Sequence, residues 1–140
     1  MPARLWALTA FLVLNSASLV YADEQPTIED VNANPKNYIG KTLTFEKVDL
    51  IGTVTTGQVR YRFTIRTPAG NIYKDSLSAE QNIVFVSRNK DANIKKFVES
   101  LKADHYYTVT LTVEIRKGKN DSGQAIIKKI ESAPFYEDKN

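Results

Sequence analysis

Between Thr42 and Thr55 the alternation of apolar residues changes parity part-way, and this change restricts the fold more than any other feature of the chain. Leu43 and Phe45 share one face of a strand, whereas Val48, Leu50 and Val54 belong to the opposite parity. Side chains alternate across a strand with period two, so one extra residue near Glu46-Lys47 is needed to restore a common apolar face. Gly52 offers a second place to bend. A long, bulged and bent first strand is what a small closed barrel needs in order to serve both of its sheets.

The remaining pattern fills in such a barrel. Thr56-Gly57 makes a turn, and Val59 to Thr67 is a second strand with Tyr61, Phe63 and Ile65 on its core face. Pro68-Ala69-Gly70-Asn71 is a turn signal that leads into a third strand over Ile72 to Leu77. The run Ile83-Val84-Phe85-Val86 reads as an extension of that strand. The period then changes: Ile94, Phe97, Val98 and Leu101 repeat as on one face of a helix, expected from Asp91 to Ala103. Tyr107, Val109, Leu111, Val113 and Ile115 alternate with Thr108, Thr110, Thr112, Glu114 and Arg116, which predicts a fourth, half-buried strand. A polar loop from Gly118 to Gly123 precedes a last strand, Gln124 to Ser132, ended by Pro134. Ahead of all these, Thr27 is placed to cap a short helix that Asn34-Pro35 breaks.

The expected fold is therefore all-β with one helix, a five-stranded OB-type barrel in the order β-β-β-α-β-β, preceded by a short N-terminal helix. Periodicity alone leaves an open α+β sheet as the alternative. The core is expected to rest on Val109, Leu111, Val113, Phe63, Ile65, Phe97 and Leu101.

Residues 1–22 stand apart from this pattern. Arg4 supplies a positive start, Leu5 to Leu14 is apolar apart from Thr9, and Val20-Tyr21-Ala22 carries small residues where a signal peptidase reads. This order predicts a cleavable secretory signal, cut after Ala22 or, as a second choice, after Ala17. A spanning helix needs roughly 20 apolar residues, and Asn15 interrupts the run well before that. Residues 23–140 are then one domain, expected in the periplasm or secreted medium of a bacterium. The chain has no cysteine, so that domain must rely on its core without disulfides, and no lipid-bearing cysteine follows the signal. Removing Arg4 lowers the formal charge from +3 to +2, too little to argue for a polyanionic partner on net charge alone.

The run Asn34-Pro35-Lys36-Asn37-Tyr38-Ile39-Gly40-Lys41-Thr42-Leu43 resembles the entry segment of small exported bacterial OB-fold domains, grouped with the anticodon-binding-like OB superfamily. The resemblance extends loosely over residues 27–133 through strand order and helix position. It implies a fold and a binding surface, with Tyr38 packing the base of the barrel and Gly40 making the turn. It implies no fixed ligand, and it carries over no site residue.

Catalytic chemistry finds little support. With one histidine and no cysteine, His/Cys metal clusters and Cys-His nucleophile pairs are excluded. His105 reads as a connecting-loop residue between the helix and the fourth strand. The segment Asn120 to Glu131 spans the length of a calcium loop but places Ala125 where glycine is needed. The Asn120-Asp121-Ser122 sequon carries no weight in most bacteria. No enzyme activity, metal or cofactor is expected.

The second strand is the suggestive feature. With Tyr61, Phe63 and Ile65 inward, Arg60, Arg62, Thr64 and Arg66 project together from the other side. OB-folds bind ligands across strands two and three, between the loops joining strands one to two and four to five. Lys74 on the third strand, and Arg116, Lys117 and Lys119 near the last loop, would surround such a site, with Tyr73 and Tyr106 as stacking faces. Outward arginines also serve merely to solvate a strand and to pair with carboxylates such as Glu114, and the sequence leaves that alternative open. The expected function is an exported binding module for an envelope protein, in interaction or assembly. Its alternative is binding of an anionic polymer, nucleic acid or acidic glycan, through the arginine face.

Overall fold

A computed structural model describes residues 25–132; the expected signal segment lies outside the described residues. The elements in chain order are α1 (Ile28–Ala33), a 3-10 turn (Pro35–Tyr38), β1 (Thr42–Ile51), β2 (Thr55–Thr56), β3 (Arg60–Phe63), β4 (Ile65–Arg66) and β5 (Ile72–Tyr73). They continue as β6 (Ile83–Arg88), α2 (Ala92–Glu99), β7 (Tyr106–Lys117) and β8 (Gly123–Ser132).

All eight strands belong to one sheet, in the order β2-β3-β6-β8-β7-β1-β4-β5. β3 and β4 are separated in the chain only by Thr64, yet they pair with strands far apart in this order: β3 with β6, β4 with β1. The sheet must therefore curl for one short segment to reach both sides. All pairings are antiparallel except that of β6 with β8. An open flat sheet does not satisfy these pairings.

The parity change in β1 is a bulge. Phe45 pairs with Leu111 and Val48 with Val109, so Glu46 and Lys47 together stand opposite the single residue Thr110. Lys47 takes a left-handed φ of 58° there. Leu43, Phe45, Val48 and Leu50 are all buried as a result. β7 keeps its alternation, with Tyr107, Val109, Leu111, Val113 and Ile115 buried. The core also takes Phe63, Ile65, Ile83 and Phe85, and edge-on ring contacts join Phe85 to Phe45 and to Tyr73.

The entry segment is built as its residue types require. Thr27 Oγ1 accepts from the Asp30 amide at 3.0 Å, and the Asp30 carboxylate accepts from the Thr27 amide at 3.0 Å, a reciprocal cap on α1. Tyr38 packs against the core, and Lys41 N donates to Tyr38 O at 2.9 Å across the turn. Gly40 sits at φ 88°, a conformation that a side chain would strain, and its amide donates to Ile115 O at 2.8 Å.

Three expectations are corrected. Eight strands replace five, because the first three long strands are interrupted. β1 stops where Gly52 turns its amide to His105 O at 2.8 Å, and the second strand breaks at Thr64, whose carbonyl accepts from Ile51 N at 3.0 Å. The third strand contains only Ile72–Tyr73, not Ile72 to Leu77, since the Gln81 side chain takes both backbone groups of Lys74 (2.8 and 3.0 Å). Ile83–Arg88 is then a strand in its own right. The helix is shorter than Asp91 to Ala103: Asp91 Oδ1 caps it by accepting from the Asn93 and Ile94 amides, and it ends at Glu99. Ile94 is its buried residue, while Phe97 and Leu101 are only partly covered.

Candidate functional site

The outer face of β3 and β6 carries the site. Tyr61 and Ser87, cross-strand partners, point into the barrel, so Arg60, Arg88 and Arg62 face outward; Val86, the partner of Arg62, is on the same side but covered, only 3% exposed. A groove of about 430 Å³ runs beside Arg60, Arg62 and Val86, with Arg88 outside its lining but opposite Arg60. Its walls are the turn Gly57-Gln58-Val59 on one side and the β7–β8 loop, with Gly118, Lys119 and Ser122, on the other. Arg60 and Arg62 border it, and Leu77, Val84 and Val86 give it an aliphatic lining.

Both walls are pinned by hydrogen bonds. Asn89 holds the first: its amide donates to Val59 O at 3.1 Å and its Nδ2 to Gln58 O at 2.8 Å. In the second, Gly118 N donates to Ser122 O at 2.9 Å, and Ser122 Oγ donates to Lys119 O at 2.5 Å. Asn120 adopts a φ of 56° to complete that loop. Asp75 also borders the groove, and its carboxylate accepts the Thr55 hydroxyl.

The cations expected from sequence divide into separate groups. Arg60, Arg62 and Lys119 meet at the groove. Arg66 lies elsewhere: its Nε and Nη2 donate to Asp49 Oδ2 at 3.1 and 2.8 Å, and its guanidinium stacks 4.0 Å from the centre of the Tyr106 ring. Thr108 Oγ1 donates to the other Asp49 oxygen at 2.9 Å, so Arg66, Asp49, Thr108 and Tyr106 form one cross-strand network. Tyr106 is thereby covered on one face. Tyr73 is 6% exposed and packs on Phe85, so its ring belongs to the core rather than to the surface. Burial, together with the charge of Glu29, holds its phenol above the usual range.

Arg116 pairs with Glu114 at 2.8 Å, and that hydrogen bond, with Lys128 adding its charge, holds the Glu114 carboxyl below the ordinary range. Lys117 and Lys74 are exposed but do not line the groove. Arg88, directly opposite Arg60, carries no sequence signal of its own because it follows the apolar run 83–86; the parity of Val84 and Val86 extends to it. None of Arg60, Arg62 and Arg88 meets a carboxylate among the described residues. Among the described residues no group of three or more His, Asp or Glu is placed to hold a metal ion.

No protein-family model matches the chain, and no curated protein matches it. Among solved structures it is similar to asparaginyl-tRNA synthetase from Pyrococcus horikoshii, with a TM-score of 0.52 and 13% identity over 78% of this chain and 23% of that one. The same enzyme complexed with asparaginyl-adenylate gives a TM-score of 0.53 and 13% identity over 79% of this chain and 22% of that one. The chain thus spans less than a quarter of the synthetase. At this identity the likeness is one of fold, and it fits an OB-like barrel.

Proposed function

We propose that this chain is an exported, non-catalytic OB-type module whose groove between residues 57–59 and 118–123 binds an extended anionic ligand. The eight strands are read as a five-stranded barrel with its first three strands interrupted: β1 with β2, β3 with β4, and β5 with β6. In that reading the groove lies across strands two and three, flanked by the two loops that OB-folds use for ligands. Export rests on the charged, apolar, small-residue order of residues 1–22.

One observation carries the binding reading. Arg60 and Arg88 stand directly opposite each other on adjacent strands, an arrangement that costs stability, and no carboxylate among the described residues offsets it. Arg62 and Lys119 add charge on the same side. A surface evolved only for solubility mixes both signs, as the Glu114–Arg116–Lys128 group on β7 and β8 does. The likeness to a synthetase named for tRNA makes single-stranded nucleic acid a natural first probe.

The test is an NMR titration of the chain with short oligo-dT and with a heparin oligosaccharide. Shift changes centred on residues 57–62, 84–88 and 118–124 are expected. Changes centred instead on Arg66 and Asp49, or no changes with either polyanion, would contradict the proposal.

A further inference from the structure

We infer that the occupant of this groove is an acidic peptide segment with aliphatic side chains, a stretch of a partner protein rather than a nucleic acid. The inference rests on the anionic-ligand reading above and narrows it to one chemical class.

The lining is the first reason. Val59 is 62% exposed and Leu77 47% exposed, and both border the groove beside Val84 and Val86. Among the described residues no aromatic side chain lines it. Single strands of nucleic acid draw much of their affinity from bases stacked on aromatic faces. The rings carried by these strands, Tyr61, Phe63, Tyr73 and Phe85, are all buried in the core. Aliphatic side chains of a peptide find partners here that bases do not.

Spacing is the second reason. Arg60 and Arg62 occupy alternate positions of β3 on one face, so their Cα atoms are separated by roughly 6.8 Å, two strand rises. An extended peptide places its own alternate side chains at the same interval. Carboxylates at alternate positions therefore match both guanidiniums, which accept bidentate pairing with a carboxylate. The third reason is Asp75. A carboxylate on the wall repels an unbroken row of phosphates, whereas a peptide brings N–H donors between its acids.

Fluorescence anisotropy with the full chain at moderate salt tests this with four labelled probes. These are a short peptide alternating Glu with Leu, its Gln–Leu and Glu–Ser counterparts, and oligo-dT. The Glu–Leu peptide is expected to bind tightest, with each counterpart weaker by roughly tenfold or more. Leu77→Ser is expected to weaken the Glu–Leu peptide by about fivefold and the Glu–Ser peptide by clearly less. Val59→Ser repeats the measurement at a second exposed position, should Leu77→Ser alter the circular dichroism. Tighter binding of oligo-dT, equal binding of the Glu–Ser peptide, or indifference to both serine variants overturns the peptide inference and leaves the anionic groove standing. Equal binding of the uncharged Gln–Leu peptide overturns the anionic groove as well. Failure of all the acidic probes to bind overturns the anionic groove itself, and the inference with it.

Discussion

Arg60 and Arg88 are cross-strand partners on the outer face of β3 and β6, two like charges on facing positions with no carboxylate among the described residues paired to either. Six residues further along the chain, on β4, Arg66 is held by Asp49 and roofed over Tyr106. The same residue type thus serves opposite ends within one strand of sequence. At Arg66 the charge is satisfied and knits β4, β1 and β7 together; at Arg60 no carboxylate among the described residues meets it.

That contrast predicts opposite signs for two similar changes. Arg88→Gln removes a repulsion and should raise stability by about 0.2–1 kcal/mol, the range for cross-strand pairs. Arg66→Gln breaks a partly exposed ion pair and stack and should cost about 1 kcal/mol after allowance for solvent screening. Urea denaturation of both variants measures the difference directly.

Leu111, fully buried on β7 opposite Phe45, is at the centre of the core. Leu111→Ala should cost roughly 2–5 kcal/mol in chemical denaturation. Phe97→Ala on α2 should cost less, since Phe97 is only partly covered. An equal loss at the two positions would show that α2 is packed more deeply than described.

Gly52 marks where β1 ends, and a Cβ there would lie 2.0 Å from the Lys102 carbonyl oxygen. Gly52→Ala must push backbone apart, with an expected cost of about 1–3 kcal/mol. A lowered thermal midpoint with unchanged ligand affinity is the expected pairing, because Gly52 does not line the groove.

Burial pushes the Glu29 carboxyl up, but hydrogen bonds from Thr67 Oγ1 and Asn71 Nδ2 (2.6 and 2.7 Å) outweigh it and hold its pKa below the ordinary 4.5. A carboxyl whose folded pKa is lowered contributes stability that is fully present above its unfolded pKa and is lost as pH falls through the folded one. Stability should therefore fall on acidification in the wild type, and Glu29→Gln should remove this group's share of the slope. Denaturation midpoints measured from neutral pH down past 4.5 give the comparison.

Much of this architecture was legible in the residues, and the physical reason is burial. Where a strand is buried on one face, as in β7, alternation is unambiguous; where the alternation slipped, at Phe45 and Val48, the slip itself located the bulge. The reciprocal cap at Thr27 and Asp30 was legible at its threonine for a similar reason, since a cap is a local contract between near neighbours. What escaped depends on contacts distant in sequence or on side chains that imitate backbone. Nothing in the pattern of residues 72–81 reveals that Gln81 would occupy Lys74 as a neighbouring strand would. Tyr73 looked available for stacking because the parity of so short a strand is undetermined, and the structure turns its ring inward. The arginine face was visible as a stripe, but its division into a paired Arg66 and an unpaired Arg60 is decided by Asp49 on another strand.

The central claim is that the unpaired arginines hold an anionic ligand, and salt dependence measures it most directly. Oligo-dT binding is followed across a range of salt for the wild type and for the variant combining Arg60→Ser, Arg62→Ser and Arg88→Ser. Each contact to a single strand's phosphates contributes roughly 0.7 to the slope of log affinity against log salt, so the variant's slope should shrink by about 2 as its affinity falls. Those residues lie outside the core, so circular dichroism should stay close to wild type, and the thermal midpoint should hold or rise slightly as the Arg60–Arg88 repulsion is lost. A folded triple variant that keeps both the affinity and the slope of the wild type would contradict the account.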